Sequence, residues 1–350
     1  MNRQGKFIGT YIDKQSPDNH LLGPLTIHLS ITGECDLCCL HCFAAPEMAE
    51  DHQQLLTHAE LDTLFEEAAA LGCMRIAITG GEPLNRPDIF QIIDMIFANG
   101  LDVCITSNGI RINHEIVEAL SRRPYGWINI SLEGATAGTN DAVRGKGTFD
   151  TVVGKLKKHF KYRLRFGLSI TLNSLNVHEI DRFSKLAREV GAEVILLRNM
   201  YPIGRGATSG SLALSFTEYQ QVIEKITQWK NKIFMVQTSC EPFHSSNEIA
   251  TIYENFGCAA GNTVATVYPD GTVSPCSLLG DGIEIDSLRS KSFSKIWQAG
   301  KGFQKVRNLA IPYNCRSCDD YPTCSGGCRA RAWASYGNIQ SPDPWCKKVM

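Results

Sequence analysis

The sequence contains no apolar run approaching the ~18 residues that a membrane-spanning helix needs. Its N-terminus, MNRQGKFIGTYIDKQSPDNH, is polar where a secretory signal would carry an apolar core. An excess of charge of either sign is missing too. The chain has 35 Lys plus Arg against 36 Asp plus Glu, so no global field draws it to nucleic acid or to an acidic membrane. The local exception, Lys155–Arg165 (KLKKHFKYRLR), reads as a solvated helix face running into a strand rather than as a docking patch. There is no internal repeat and no low-complexity linker, so the later part of the chain is expected to pack onto the earlier part.

Cysteine, by contrast, is plentiful, with fourteen residues. With no export signal the expected compartment is the reducing cytoplasm, where such a number is not a disulfide framework. Clustered at short spacings, these residues read as metal ligands.

At 350 residues and 43% hydrophobic, the chain can bury a full core. Six short runs rich in β-branched residues are each followed by a helical pattern: Leu25–Ile31, Arg75–Thr79, Asp102–Thr106, Trp127–Leu132, Phe166–Leu172 and Glu193–Arg198. Such alternation predicts parallel βαβ units closing toward a barrel. The expected class is α/β, a partial (β/α)6 TIM-like barrel over residues 20–215. Thr57 and Glu60 form a capping box ahead of Leu61, Leu64, Phe65, Ala68 and Leu71, and Gly72 stands where a helix should end. A connecting helix over Thr217–Trp229 opens a bridging region, 216–257, and a cysteine-rich extension occupies 258–350. Within the extension, Thr263–Tyr268 and Thr272–Ser274 flank Pro269-Asp270-Gly271, a hairpin signal. In barrels of this kind the chemistry sits at the carboxyl ends of the strands. The distinctive residues fall there: Cys35–Cys42, Gly80–Pro83, Ser107–Gly109 and Ser131–Gly134.

Cys35-x3-Cys39-x2-Cys42 supplies three thiolates from one loop. A four-iron cluster so held keeps one iron open. Zinc is the alternative, since Cys38 or His41 could complete a closed site of four ligands.

Taken with the motifs after it, this loop resembles that of the radical S-adenosylmethionine (SAM) superfamily. The resemblance implies a [4Fe–4S] cluster whose open iron is chelated by SAM, and reductive cleavage of SAM to a 5′-deoxyadenosyl radical. The aromatic Phe43, after the third cysteine, would lie against the adenine. Gly80-Gly81-Glu82-Pro83 is similar to the family's second hallmark, whose backbone and glutamate hold the SAM amino group. Ile130–Gly134 and Asn140-Asp141-x-x-Arg144-Gly145 resemble the strand-four segment, so Ser131 and Arg144 would contact the ribose and carboxylate. Glu133 and Asn140 depart from the usual Asp and the common His. Ser107-Asn108-Gly109 resembles the strand-three motif, which would place Asn108 at the cofactor; a plain turn with a helix cap explains it equally well.

Cys258, Cys276, Cys315-x2-Cys318-x5-Cys324-x3-Cys328 and Cys346 are similar, cysteine for cysteine, to the SPASM extension of some radical SAM enzymes. The resemblance implies two auxiliary iron–sulfur clusters, one held by Cys258, Cys276 and Cys328, the other by Cys315, Cys318, Cys324 and Cys346. Cys240 is the nearest spare thiol for the three-cysteine cluster, which otherwise has an open iron. A zinc ribbon would use only Cys315, Cys318, Cys324 and Cys328. The family also implies a flavodoxin or ferredoxin as electron donor.

SPASM enzymes modify peptides and proteins, and relatives act on tetrapyrroles or aminoglycosides. About 24 residues precede strand one, too few for a fused peptide-recognition domain, which a separate protein could supply. Ser277 stands where the sulfatase-maturating branch has an acidic base, which disfavours that activity. Gly326–Ala332 and Asp343–Cys346 resemble the tails of haem-pathway and quinone-cofactor enzymes. The expected activity is oxidative modification of a ribosomally made peptide. A tetrapyrrole or other small molecule is the second choice, and a zinc-stabilised interaction module the non-enzymatic one.

Overall fold

Short β-branched runs alternating with amphipathic periods fold as parallel strands joined by crossover helices. The structure, a computed structural model, describes residues 21–44, 55–123, 127–160, 164–228, 235–238, 258–319 and 321–346. The strands are β1 (Thr26–Ser30), β2 (Arg75–Thr79), β3 (Asp102–Ser107), β4 (Trp127–Ser131), β5 (Phe166–Leu172) and β6 (Val194–Asn199), each parallel to the next. Between them run α1 (His58–Ala70), α2 (Ile89–Ala98), α3 (His114–Ser121), α4 (Ala137–Arg144), α5 (Thr148–Lys155) and α6 (Ile180–Val190). In a partial barrel the helices cover the outer face, so β2 and β3 alternate between buried and half-buried residues, whereas β5 is buried almost throughout. In β5 (FGLSITL) six of the seven residues are buried.

Helix α1 forms as its sequence requires. Thr57 and Glu60 make the reciprocal capping box, Leu61, Leu64, Phe65 and Ala68 face the core, and Gly72 takes a positive φ of 80° just past the end.

Two strands alter the expected picture. β7 (Met235–Thr238) joins β6 in parallel, with Met235 opposite Val194, in the stretch read as a bridging region. Four residues are too few for a periodicity test. The second is β8 (Val264–Val267). It forms the expected antiparallel hairpin with β9 (Thr272–Ser274), but it also lies parallel to β1, with Val264 opposite Thr26. The cysteine-rich region therefore continues the sheet instead of merely packing on it. Among the described residues the strand order is β10-β9-β8-β1-β2-β3-β4-β5-β6-β7, with β10 (Asp286–Ser287) antiparallel to β9. The sheet is open at β10 and β7, which makes the barrel partial.

The remaining helices are α7 (Arg205–Thr208), α8 (Phe216–Thr227), α9 (Phe293–Ala299), α10 (Lys301–Arg307), α11 (Tyr321–Cys324) and α12 (Arg329–Tyr336). Ser215 and Glu218 box the start of α8. The fully buried Trp297 of α9 donates its indole N–H to the Leu21 carbonyl at 3.1 Å, binding the extension to the start of the barrel. One large core fills the sheet–helix layers. A smaller one gathers Tyr201, Leu279, Ile283, Val306, Cys328 and Ile339 under the extension. Because β1–β6 run the same way, the loops after them share one rim.

Candidate functional site

The cysteine loop after β1 has no regular secondary structure, and neighbours along the rim hold it in place. From α4, the Val143 carbonyl accepts from Leu40 N at 2.9 Å. The segment after β6 grips it hardest: Arg205 N donates to the Cys42 carbonyl at 2.9 Å, and Arg205 Nε to the Cys39 carbonyl at 3.0 Å. Gly204, at φ +55°, lies so close that a Cβ there would fall 2.4 Å from the Phe43 carbonyl oxygen. His41 Nε2 sits 3.2 Å from Glu133 Oε1 beyond β4. Asn108 Nδ2, beyond β3, lies 3.7 Å from Cys35 Sγ and donates to Asp36 Oδ1 at 2.6 Å.

All three thiols of this loop are free of disulfides. Burial pushes Cys39 up to about 11, opposed by Arg144 and reinforced by Glu133, Cys42 and Cys35. Burial raises Cys35 as well. Without metal these thiols keep their protons, and iron binding must displace them. Among the described residues no three His, Cys, Asp or Glu side chains converge on a point that would hold one metal ion. Three thiols from one loop are the donor set of a [4Fe–4S] cluster that keeps one iron open. Cys38 is exposed.

The glycines of Gly80–Pro83 serve close approach to the cysteine loop. Gly81 N donates to the Thr32 carbonyl at 2.7 Å and Glu82 N to the Glu34 carbonyl at 2.6 Å. A Cβ on Gly81 would fall 2.0 Å from the Glu34 carbonyl oxygen. Gly80, at φ +129°, is equally confined by the Thr32 carbonyl oxygen, 2.5 Å away. Pro83 opens a short 3-10 helix, Pro83–Asn85.

Glu82 is wholly buried, and its carboxylate already serves the protein. Oε1 accepts from Leu84 N at 3.0 Å and Ser107 Oγ at 2.9 Å, and Oε2 from Asn108 N at 2.6 Å. Burial nevertheless pushes the carboxyl up to about 7, with the three donors opposing. Of roughly four lone-pair directions on a carboxylate, three are used. Glu82 thus ties the exit of β2 to the exit of β3, which its motif does not announce.

Arg144, Ser131 and Asn108 form one unit. The buried guanidinium of Arg144 donates to the Ser131 carbonyl and, at 2.6 Å, to the Asn108 carbonyl. Glu133 Oε2 accepts from Thr171 N at 2.7 Å, and Asn140 Oδ1 from Glu133 N at 2.9 Å. Phe43 is 40% exposed.

In the extension the cysteines fall into two groups. Cys258, Cys276 and Cys328 belong to the smaller core. Around the other four, burial raises Cys315, with Cys346 and Cys318 adding, and pushes Cys324 up to about 11, with Cys346 again adding. The tail is locked by a buried pair: Arg331 Nη2 lies 2.8 Å and Nε 3.0 Å from the two oxygens of Asp343. Asp343 Oδ2 also accepts from Cys328 N at 2.6 Å. Arg331 lies 4.0 Å over the Trp345 ring, which stacks on Tyr219 of α8 at 5.1 Å. Cys240 lies outside the described residues.

Sequence reasoning missed Tyr201, Gly204 and Arg205, and weighed His41 only as a zinc ligand. A signal existed for the first three. Tyr201-Pro202-Ile203-Gly204-Arg205-Gly206 follows strand six directly, at the rim where strands one to four carry their distinctive residues.

A parallel α/β sheet with a cysteine loop at one rim and seven further cysteines in a C-terminal extension defines an iron–sulfur enzyme. Residues 29–187 match the model of the radical SAM superfamily, and residues 258–319 that of the iron–sulfur cluster-binding SPASM domain. The chain belongs to the radical SAM superfamily, in its SPASM-bearing branch, and is an enzyme that uses SAM and iron–sulfur clusters. It is 30% identical over 332 residues to the mycofactocin maturase MftC of Mycobacterium tuberculosis, covering 92% of this chain and 83% of that protein. It is 28% identical over 341 residues to the AdoMet-dependent heme synthase of Methanosarcina barkeri, covering 92% and 96%. Its fold matches the crystal structure of Streptococcus suis SuiB bound to S-adenosylmethionine with a TM-score of 0.81, at 18% identity, over 97% of this chain and 81% of that one. Among the described residues no helix is long and apolar enough to cross a membrane.

Proposed function

We propose that this enzyme oxidatively modifies a ribosomally made peptide. Cys35, Cys39 and Cys42 hold the SAM-binding [4Fe–4S] cluster, Cys258, Cys276 and Cys328 a first auxiliary cluster, and Cys315, Cys318, Cys324 and Cys346 a second. The barrel unit is 20–215, the bridging region 216–257 and the cluster-bearing extension 258–350.

The observation carrying this reading is the meeting, at one rim, of the three-thiol loop, the Gly80–Pro83 turn and the Arg144–Ser131–Asn108 unit. Bound there, SAM supplies a carbon radical able to take hydrogen from an unactivated C–H bond. Phe43 offers an exposed ring for the adenine. The Gly80–Gly81 backbone and the last lone pair of Glu82 suit an ammonium. Arg144 is already spent on two carbonyls, so it acts on the SAM groups by fixing Ser131 and Asn108. His41 and Arg205 hold the loop so that its thiols keep their spacing. A flavodoxin or ferredoxin delivers the electron, and a separate protein could present the peptide.

The peptide reading is supported by the maturase relative and by a fold shared with a protein crystallised with its precursor peptide, SuiA. A tetrapyrrole is the second reading, favoured by the heme synthase match over 96% of that protein. The reduced enzyme with SAM should be given, in parallel, a short peptide encoded beside its gene and an iron porphyrin precursor. Mass spectrometry should find a modified peptide; turnover of the porphyrin alone would overturn the peptide reading.

A further inference from the structure

Tyr201 stands where the barrel meets the first group of SPASM cysteines. It leaves the rim two residues after β6 ends at Asn199, and its side chain is buried in the smaller core beside Cys328. Its phenol oxygen lies 3.8 Å from Cys328 Sγ and 3.5 Å from Arg331 Nη1. The guanidinium is held by Asp343, whose Oδ2 also accepts from Cys328 N. One buried unit therefore contains the sulfur, a neutral hydroxyl beside it, and a charged pair that keeps both in place.

The proton directions follow from chemistry. Arg331 can only donate, so the phenol oxygen accepts from it. As a metal ligand Cys328 is a thiolate and can only accept. In the metal-free protein the Cys328 thiol donates to the phenol oxygen; once the sulfur is a thiolate, the Tyr201 hydroxyl, a donor as well as an acceptor, can turn its proton to it and reverse that bond. We propose that Tyr201 is a positioning residue for the first auxiliary cluster: it donates an O–H···S hydrogen bond to ligand Cys328 and raises that cluster's reduction potential. This rests on the assignment of Cys258, Cys276 and Cys328 to one cluster. A donor to a ligand sulfur stabilises the more negative, reduced state, and hydrogen bonds to sulfur are among the determinants of iron–sulfur potentials. The consequence is functional. An auxiliary cluster that accepts an electron from a substrate radical does so more readily when its potential is higher, and Tyr201 applies that bias from the barrel side.

The test is an EPR-monitored redox titration of the fully reconstituted protein and its Tyr201→Phe variant, with iron counted in both. Phenylalanine keeps the ring and removes the donor. One cluster's midpoint should move to more negative potential by about 59 mV, a tenfold change in a one-electron couple. The other two midpoints and the iron content should not move. Site-specific replacement of Tyr201 by trifluorotyrosine, a stronger donor of nearly the same shape, should move the same midpoint the opposite way. Unchanged midpoints in both variants would overturn the inference while leaving the three-cluster assignment intact. Loss of that cluster's iron in Y201F would also overturn it, making Tyr201 a building element rather than a tuning one. An unaltered protein that assembles only two clusters would overturn both.

Discussion

His41 and Glu133 face each other across the rim, with Nε2 of the imidazole 3.2 Å from Oε1 of the carboxylate. Through its other oxygen Glu133 caps Thr171 N at the end of β5, so one buried side chain joins the cysteine loop to two strands. Glu133→Ala should leave the half-buried Thr171 amide without this acceptor and cost about 1 kcal/mol. Urea unfolding of the metal-free protein should show it. The iron held by Cys35, Cys39 and Cys42 should also bind less tightly, while Glu133→Gln, which still offers an acceptor to Thr171, should be milder on both counts.

The anaerobically reconstituted protein should carry about twelve irons in three [4Fe–4S] clusters. Changing Cys35, Cys39 and Cys42 together to Ala should leave about eight irons and abolish SAM cleavage. Cleavage persisting in that variant, measured by chromatography of 5′-deoxyadenosine, would refute the assignment of the loop.

Glu82 links pH to stability. Its folded value of about 7 lies above the ordinary 4.5, so between those values the native state holds a proton that the unfolded chain has lost. The stabilisation is fully present below about 4.5 and is lost as pH rises through 7. Denaturation of the metal-free protein from pH 5 to 8 should show that slope, and Glu82→Gln should flatten it. Binding of an ammonium at the remaining lone pair needs the ionised form, so SAM should bind more tightly as pH rises through 7, releasing a proton. Calorimetry in buffers of different ionisation enthalpy reads that release. Glu82→Ala should weaken SAM binding about ten- to hundredfold, the worth of a charge-assisted bond of roughly 1.5–3 kcal/mol.

Asp343→Ala would strand Arg331 in the core and orphan the Cys328 amide. Breaking a buried pair from one side costs about 3–5 kcal/mol. Thermal unfolding should drop accordingly, and one auxiliary cluster's iron should be lost while SAM still binds at the rim.

Strand existence was legible for β1 to β6 because each run is short and rich in β-branched residues, whether buried almost throughout, as in FGLSITL, or alternating, as in RIAIT. The hairpin was legible from Pro269-Asp270-Gly271. The parallel bond between β8 and β1 was not, since VATV specifies an apolar strand without naming its neighbour, and Thr26 is more than two hundred residues away. In the site, identity was easier than function. The motif reveals Gly81 and Glu82, but only the fold shows that Gly81 is pressed against Glu34 and that Glu82 spends three acceptor directions on Leu84, Ser107 and Asn108. Arg205 was missed because its partners are main-chain carbonyls of Cys39 and Cys42, which leave no mark in the sequence.

Gly81→Ala should act as a wedge. With a Cβ 2.0 Å from the Glu34 carbonyl oxygen, turn and loop must separate. Overpacking of this kind costs about 1–3 kcal/mol. Iron analysis should show loss confined to the cluster on Cys35, Cys39 and Cys42, with the auxiliary clusters retained.

The seam between β1 and β8 makes the extension an edge guard. Remove residues 258–350 and the N–H and C=O groups along one side of β1 are left bare, a ready template for another chain. A shortened barrel would be prone to edge-to-edge association whatever the state of its cysteine loop. The ribosome meets the same constraint, because β1 emerges long before its cover does. Assembly of the first strand is complete only when about three-quarters of the polypeptide has emerged, so the iron-binding loop that leaves β1 is anchored late.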